Sequence, residues 1–188
     1  MEPEQEIKQK KKESIWDTIR FALIAIIIVI PIRMFVAQPF VVSGASMYPT
    51  FHDQDYLIVD QLSYNFEDIK RHDVIIFKYP EDPSKFFIKR VIGLPNEKVK
   101  INGSQVTIIN DENEEGFILP DNYIQNKSNN DPIYTELKED EYFVMGDNRS
   151  ASSDSRYWGP VKKELIIGQP FLRLLPINDI DYKPGQIK

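Results

Sequence analysis

The chain has 188 residues, 41% of them hydrophobic, and a formal net charge of −6 at pH 7. That length suits one domain of ordinary size plus an appendage, and the acidic balance argues against nucleic acid as a partner, because no basic face dominates. There is no cysteine, which removes disulfides, thiol catalysis and cysteine zinc sites without fixing a compartment. The two histidines, His52 and His72, each stand beside an aspartate in a polar, turn-like context. Both are expected in surface turns rather than in a metal site or a Ser-His-Asp triad. Neither a metal nor a cofactor is expected.

Residues 1–14 are polar and rich in charge, with Lys8, Lys10, Lys11 and Lys12 among them, and are expected to form a cytoplasmic tail. Ile15 to Val36 is a largely apolar run of 22 residues. As a helix it measures about 33 Å, which matches a bilayer core of about 30 Å. Arg20 and Arg33 bracket its wholly apolar part, and Trp16 can anchor the inner interface. The segment 15–37 is therefore expected to be a single transmembrane anchor in contact with membrane lipids, with the lysine-rich end inside. A cleaved secretory signal is the competing reading. Phe35-Val36-Ala37 counts against it, with an aromatic where a small residue is needed.

From Gln38 onward the texture changes to short β-type runs between turn residues. Phe40–Val42, Tyr56–Val59, Val74–Phe77, Phe86–Ile92, Val99–Ile101, Val106–Ile109 and Tyr142–Met145 read as strands. Asn102-Gly103 is a hairpin signal, and a helical turn is expected at Lys162–Ile166. The predicted class is mainly β, antiparallel, in folded sheets or a barrel-like arrangement. Residues 38–95 and 141–178 are expected to form the main domain and 96–140 an inserted, less tightly packed cap. Residues 179–188 read as a loosely held tail.

Three stretches can carry chemistry. In Val41-Val42-Ser43-Gly44-Ala45-Ser46-Met47-Tyr48-Pro49-Thr50, a glycine and a proline flank a serine whose hydroxyl can stand on a rigid edge; an ordinary turn explains the same residues. Phe86-Phe87-Ile88-Lys89-Arg90-Val91-Ile92 places two basic residues inside an apolar strand. Lys89 shares a face with Phe87 and Val91. Burial there would depress its pKa, and about 3 kcal/mol of destabilisation suffices to bring it near 8. A neutral lysine is a general base; an edge strand with both side chains snorkelling outward is the plainer alternative. Gly146-Asp147-Asn148-Arg149-Ser150-Ala151-Ser152-Ser153-Asp154-Ser155-Arg156 is dense in carboxylate, hydroxyl and guanidinium groups, which suits a loop whose charges pair locally.

Together and in this order, the three stretches and the preceding apolar segment resemble the type I signal peptidase family of membrane-bound Ser/Lys proteases. The resemblance runs from the anchor to about Pro176. It implies removal of signal peptides from preproteins, with Ser46 as nucleophile and Lys89 as general base. It further implies that Ser152 orients the lysine amine, that Asp147 pairs with Arg90, and that Asp154 pairs with Arg156. Phe40, Val42, Met47, Leu57, Phe87 and Ile88 would line the pockets for the substrate's small residues.

Three departures stand out. Gly44 occupies the position where some members carry a serine as second oxyanion donor. The family's Leu-Pro-Gly-Asp turn is Leu94-Pro95-Asn96-Glu97 here, and Ala151 replaces an asparagine. Other protease signatures are absent: Tyr48 breaks a Gly-x-Ser-x-Gly elbow, and no Ser-x-x-Lys occurs. Two further classes stay open from the residues alone. One is a membrane-anchored, non-enzymatic β-domain that binds extended peptides or a partner protein; the other is a self-cleaving Ser/Lys regulator.

Overall fold

The computed structural model of the protein describes residues 3–31, 37–124 and 126–187. The chain divides into two compact units, Met1–Gln38 and Pro39–Lys188. The first contains helix α1, Pro3–Pro31. Residues 32–36 of the expected anchor lie outside the described residues. Among the described residues no helix is long and apolar enough to cross a membrane.

The second unit is built from antiparallel strands. In chain order they are β1 (Ala37–Val41), β2 (Tyr56–Asp60), β3 (Val74–Tyr79), β4 (Asp82–Gly93), β5 (Lys98–Gly103), β6 (Gln105–Asn110), β7 (Asn113–Ile118), β8 (Asn130–Glu136), β9 (Glu141–Met145), β10 (Val161–Lys162), β11 (Ile166–Leu175) and β12 (Asp181–Tyr182). One sheet runs β1-β2-β11-β3-β4-β9-β10, with β12 added on β11; the other runs β7-β6-β5-β8. A one-turn helix, α2 (Ser155–Trp158), starts from Asp154, whose carboxylate accepts the Arg156 N–H.

Two features of the larger sheet position the site. β1 is an end strand. β4 pairs with β3 from Phe86 to Arg90, but β9 joins its other side only from Arg90 onward. The stretch 86–89 therefore carries backbone groups on a side that β9 leaves open. Apolar packing fixes the layers. Val42, Met47, Phe51, Leu57 and Val74 form one cluster beneath the serine turn, and Ile75, Phe77, Val91 and Val144 form a second.

Residues 96–140 depart from the expectation of a loosely packed cap. Val99, Ile101, Val106 and Ile108 turn one face of the smaller sheet onto Ile92, Phe143 and Met145 of the larger one, and all of them are buried. Burying each such side chain contributes about 1.5–3 kcal/mol, so the cap shares a core with the main sheet. The turn leading into it uses Asn96 at φ 64°, a left-handed conformation that asparagine tolerates. The tail is likewise not loose. β12 pairs with β11, the Lys183 N–H donates to the Phe171 carbonyl at 2.8 Å, and Pro184 is buried. The helical turn expected at Lys162–Ile166 is a short 3-10 turn, Lys163–Leu165. It leads into β11, a ten-residue strand that the sequence pattern did not announce.

Candidate active site

Ser46 lies in a turn folded back on the end of β1. The Val42 N–H donates to the Asp55 carbonyl, the Gln54 N–H to the Val42 carbonyl and the Phe51 N–H to the Met47 carbonyl, all at 2.9–3.0 Å. Gly44, at φ 91°, donates its N–H to the Asp53 carboxylate at 2.8 Å. Such a φ favours glycine, and the bond occupies the one donor that this residue could have offered to a substrate. Among the described residues the Ser46 N–H has no acceptor.

Lys89 approaches from β4. Its Nζ lies 2.8 Å from Ser46 Oγ and 2.8 Å from the Ile88 carbonyl oxygen. The side chain is 4% exposed and packs over the Phe87 ring at 5.2 Å. Burial lowers its pKa to about 8, opposed in part by the charges of Asp154 and Asp147. Desolvation favours the uncharged amine, so a nucleophile and a base of suitable pKa stand within hydrogen-bond reach of each other. Among the described residues no group of acidic or histidine side chains could hold a metal ion.

The loop 146–156 holds this pair in place. Arg90 grips Asp147 in a bidentate pair, Nε to Oδ1 at 2.8 Å and Nη2 to Oδ2 at 2.6 Å, with both side chains out of water. Asp147 also accepts the Thr50 hydroxyl at 2.6 Å. Arg156 pairs with Asp154 through Nε at 2.7 Å and Nη2 at 2.8 Å, and Asp154 accepts the Gly146 N–H at 3.0 Å. Asn148 closes the loop onto the serine turn: its N–H donates to the Ser46 carbonyl and its Nδ2 to the Ala45 carbonyl, each at 3.0 Å. At Gly146 only glycine fits. A Cβ there would lie 2.3 Å from Ser152 Oγ and 2.4 Å from the Ser46 carbonyl oxygen.

A groove of about 430 Å³ opens beside Ser46 and Lys89. Phe40, Val42, Leu57, Phe87 and Ile88 line it, and Val41, Ser43, Ile76, Lys85, Phe86 and Ser153 join them. Phe40 and Phe86 meet edge to face across it at 5.4 Å. Two expected roles differ in the structure. Met47 is 1% exposed and belongs to the core under the turn, not to the groove, because the turn that presents Ser46 directs its neighbour inward. Ser152 does not reach the lysine: among the described residues its hydroxyl is buried without a hydrogen-bond partner, against Gly146, and the amine uses the Ile88 carbonyl instead.

His52 is exposed, as expected of a surface turn. His72 is not a plain surface residue. It is half-buried, its ring packs on Tyr123 at 5.8 Å, and its carbonyl accepts Arg90 Nη1 at 2.8 Å. Burial and the neighbouring Arg90 and Arg71 charges lower its pKa. Thr50, Asn148, Gly146 and His72 all support the site through contacts distant in sequence. The polarity of 146–156 was the one available signal for Asn148.

Residues 15–175 match the family model described as "Signal peptidase, peptidase S26". Among relatives, the chain is 38% identical to a "Signal peptidase I" of Leptolyngbya laminosa, over 82% of this chain and 77% of that protein. It is 34% identical to a "Probable signal peptidase I-2" of Synechocystis sp., over 90% and 78%. A "Signal peptidase I" of Bacillus amyloliquefaciens is 32% identical over 92% of this chain and 95% of the relative. The match takes in the serine turn, the lysine strand and the Gly146–Arg156 loop together, and the chain belongs to the signal peptidase family, peptidase S26.

Proposed function

We infer that this chain is a membrane-bound serine endopeptidase that removes signal peptides from exported preproteins, with Ser46 as nucleophile and Lys89 as general base. The observation that carries the site assignment is the 2.8 Å contact between Lys89 Nζ and Ser46 Oγ, made by an amine whose pKa burial lowers to about 8. Neutral Lys89 takes the Ser46 proton as Oγ attacks the scissile carbonyl. The resulting ammonium returns a proton to the leaving amine, which leaves an ester on Ser46. Lys89, neutral again, then deprotonates the water that hydrolyses the ester. The Ser46 N–H serves as oxyanion donor. Gly44 contributes none, since its N–H is held by Asp53.

The signal peptide's end lies extended between the open sides of β1 and β4, in the manner of an added strand. Bulky walls at Phe40, Val42, Leu57, Phe87 and Ile88 leave room for small side chains, so the cut follows an alanine with a second small residue two positions earlier. The segment 15–37 anchors the chain in the bilayer as a single span, with the lysine-rich start inside and the β unit on the extracytoplasmic side. The test is cleavage of a synthetic preprotein in detergent by wild type beside Ser46→Ala. Loss of cleavage in the variant is expected; retained cleavage would point to the peptide-binding alternative.

A further inference from the structure

The Arg90 guanidinium has five N–H donors. Nε and Nη2 are taken by Asp147, and Nη1 donates to two backbone carbonyls, His72 at 2.8 Å and Gly185 at 2.7 Å. Gly185 lies 95 positions along the chain from Arg90, in the segment that follows β12. Gly185 adopts φ 89°, and a Cβ on it would lie 2.9 Å from Val74 Cγ2 and 3.0 Å from Phe51 Cε2. Both neighbours belong to the apolar cluster under the serine turn. Pro184 before it is buried, while Gln186 after it is exposed.

We propose that the segment Lys183–Ile187 is a positioning strap for the catalytic pair, acting through the Gly185 carbonyl on Arg90. The proposal rests on the Ser46/Lys89 reading above. The connection is continuous. Gly185 fixes Arg90 Nη1, Arg90 fixes both oxygens of Asp147, and Asp147 holds the Thr50 hydroxyl. The next residue, Asn148, holds the carbonyls of Ser46 and Ala45. Arg90 is 1% exposed with the strap in place, and losing the Gly185 carbonyl leaves His72 as the one remaining protein acceptor of Nη1 among the described residues. The strap also packs against Phe51, at the far end of the turn that carries Ser46. None of its residues lines the groove. Its loss should therefore lower kcat and leave KM nearly unchanged, because displacements of about an ångström at reacting groups cost up to roughly a hundredfold.

The experiment compares the full chain with a variant ending at Tyr182 on a preprotein substrate, with Ser46→Ala as the blank. A kcat lowered roughly tenfold to a hundredfold with KM within about twofold is expected. Partial recovery is expected on adding the peptide Lys-Pro-Gly-Gln-Ile-Lys, and none with its scrambled form. A folded truncated enzyme with wild-type kcat would overturn the strap. Should truncation prevent folding, full-length Gly185→Ala decides: its strained φ and new methyl group should depress kcat, and unchanged turnover would equally refute the proposal. Activity in Ser46→Ala would strike at the Ser/Lys reading instead, while the deficit of the truncated form is still measured against wild type.

Discussion

The cap sheet and the loop 146–156 are both tightly packed, yet by opposite means. The cap turns Val99, Ile101, Val106 and Ile108 inward, while Ile118 and Tyr134 remain exposed. Its stability comes from apolar area, which is additive and forgiving of shape. The loop buries Asp147, Asn148, Arg149, Ser152, Asp154 and Ser155, and what fixes it is a set of directed bonds with two ion pairs shut away from water. Buried ion pairs add little net stability over apolar packing, but losing one partner is severe. The comparison teaches that this protein reserves its brittle packing for the place where tenths of an ångström matter.

The largest expected effect lies at the centre of the brittle region. Ser46→Ala and Lys89→Met should each lower kcat/KM by about 10⁴-fold or more, in a preprotein cleavage assay on protein with wild-type circular dichroism. Next comes Asp147→Ala, which leaves the Arg90 charge buried without its partner. It should lower unfolding stability by about 3–5 kcal/mol, read from urea titration. A loss under 1 kcal/mol would place the loop with the forgiving region.

Lys89→Met carries a second expectation of opposite sign. The folded pKa of Lys89 is lowered to about 8 from 10.5, so the unfolded chain binds that proton more readily. The penalty is present in full below pH 8 and disappears as pH rises through 8 to 10.5. The variant should therefore be more stable than wild type at pH 7, by up to about 3 kcal/mol, with the gain shrinking towards pH 10. The same pKa governs rate. kcat/KM should fall about tenfold per pH unit below 8 and level off above it; a limb centred near 10 would contradict the burial argument. The smallest effect should come from Tyr134→Ser on the outer face of the cap, within about 0.5 kcal/mol of wild type by thermal melting.

Much of the fold was legible because its strands alternate or run apolar between turn residues, as at Val74–Phe77 and Val106–Ile109. β11 was not, because Gly168 and Pro170 interrupt it and its register shifts within its pairings with both β3 and β2. β7 and β8 carry Glu114, Glu115, Asn130 and Asp131, and these polar residues kept them out of the predicted strands. At the site, Ser46 and Lys89 announced themselves through a turn and a misplaced charge. Asn148, Thr50 and Gly185 could not, since their contacts span 95 to 103 positions and leave no local pattern. The resting place of Ser152 Oγ was equally hidden, because it depends on the missing Cβ of Gly146.

The open sides of β1 and β4 bear on when the enzyme can act. In the binding mode proposed above, a strand slotted between them leaves its own hydrogen-bonding partners, and six residues of it span about 20 Å. A preprotein whose sequence around the cut has already joined a helix or sheet would first have to unravel. The groove thus sets a deadline: cleavage competes with the folding of the emerging chain, and early folders with no slack after the signal should be processed most slowly.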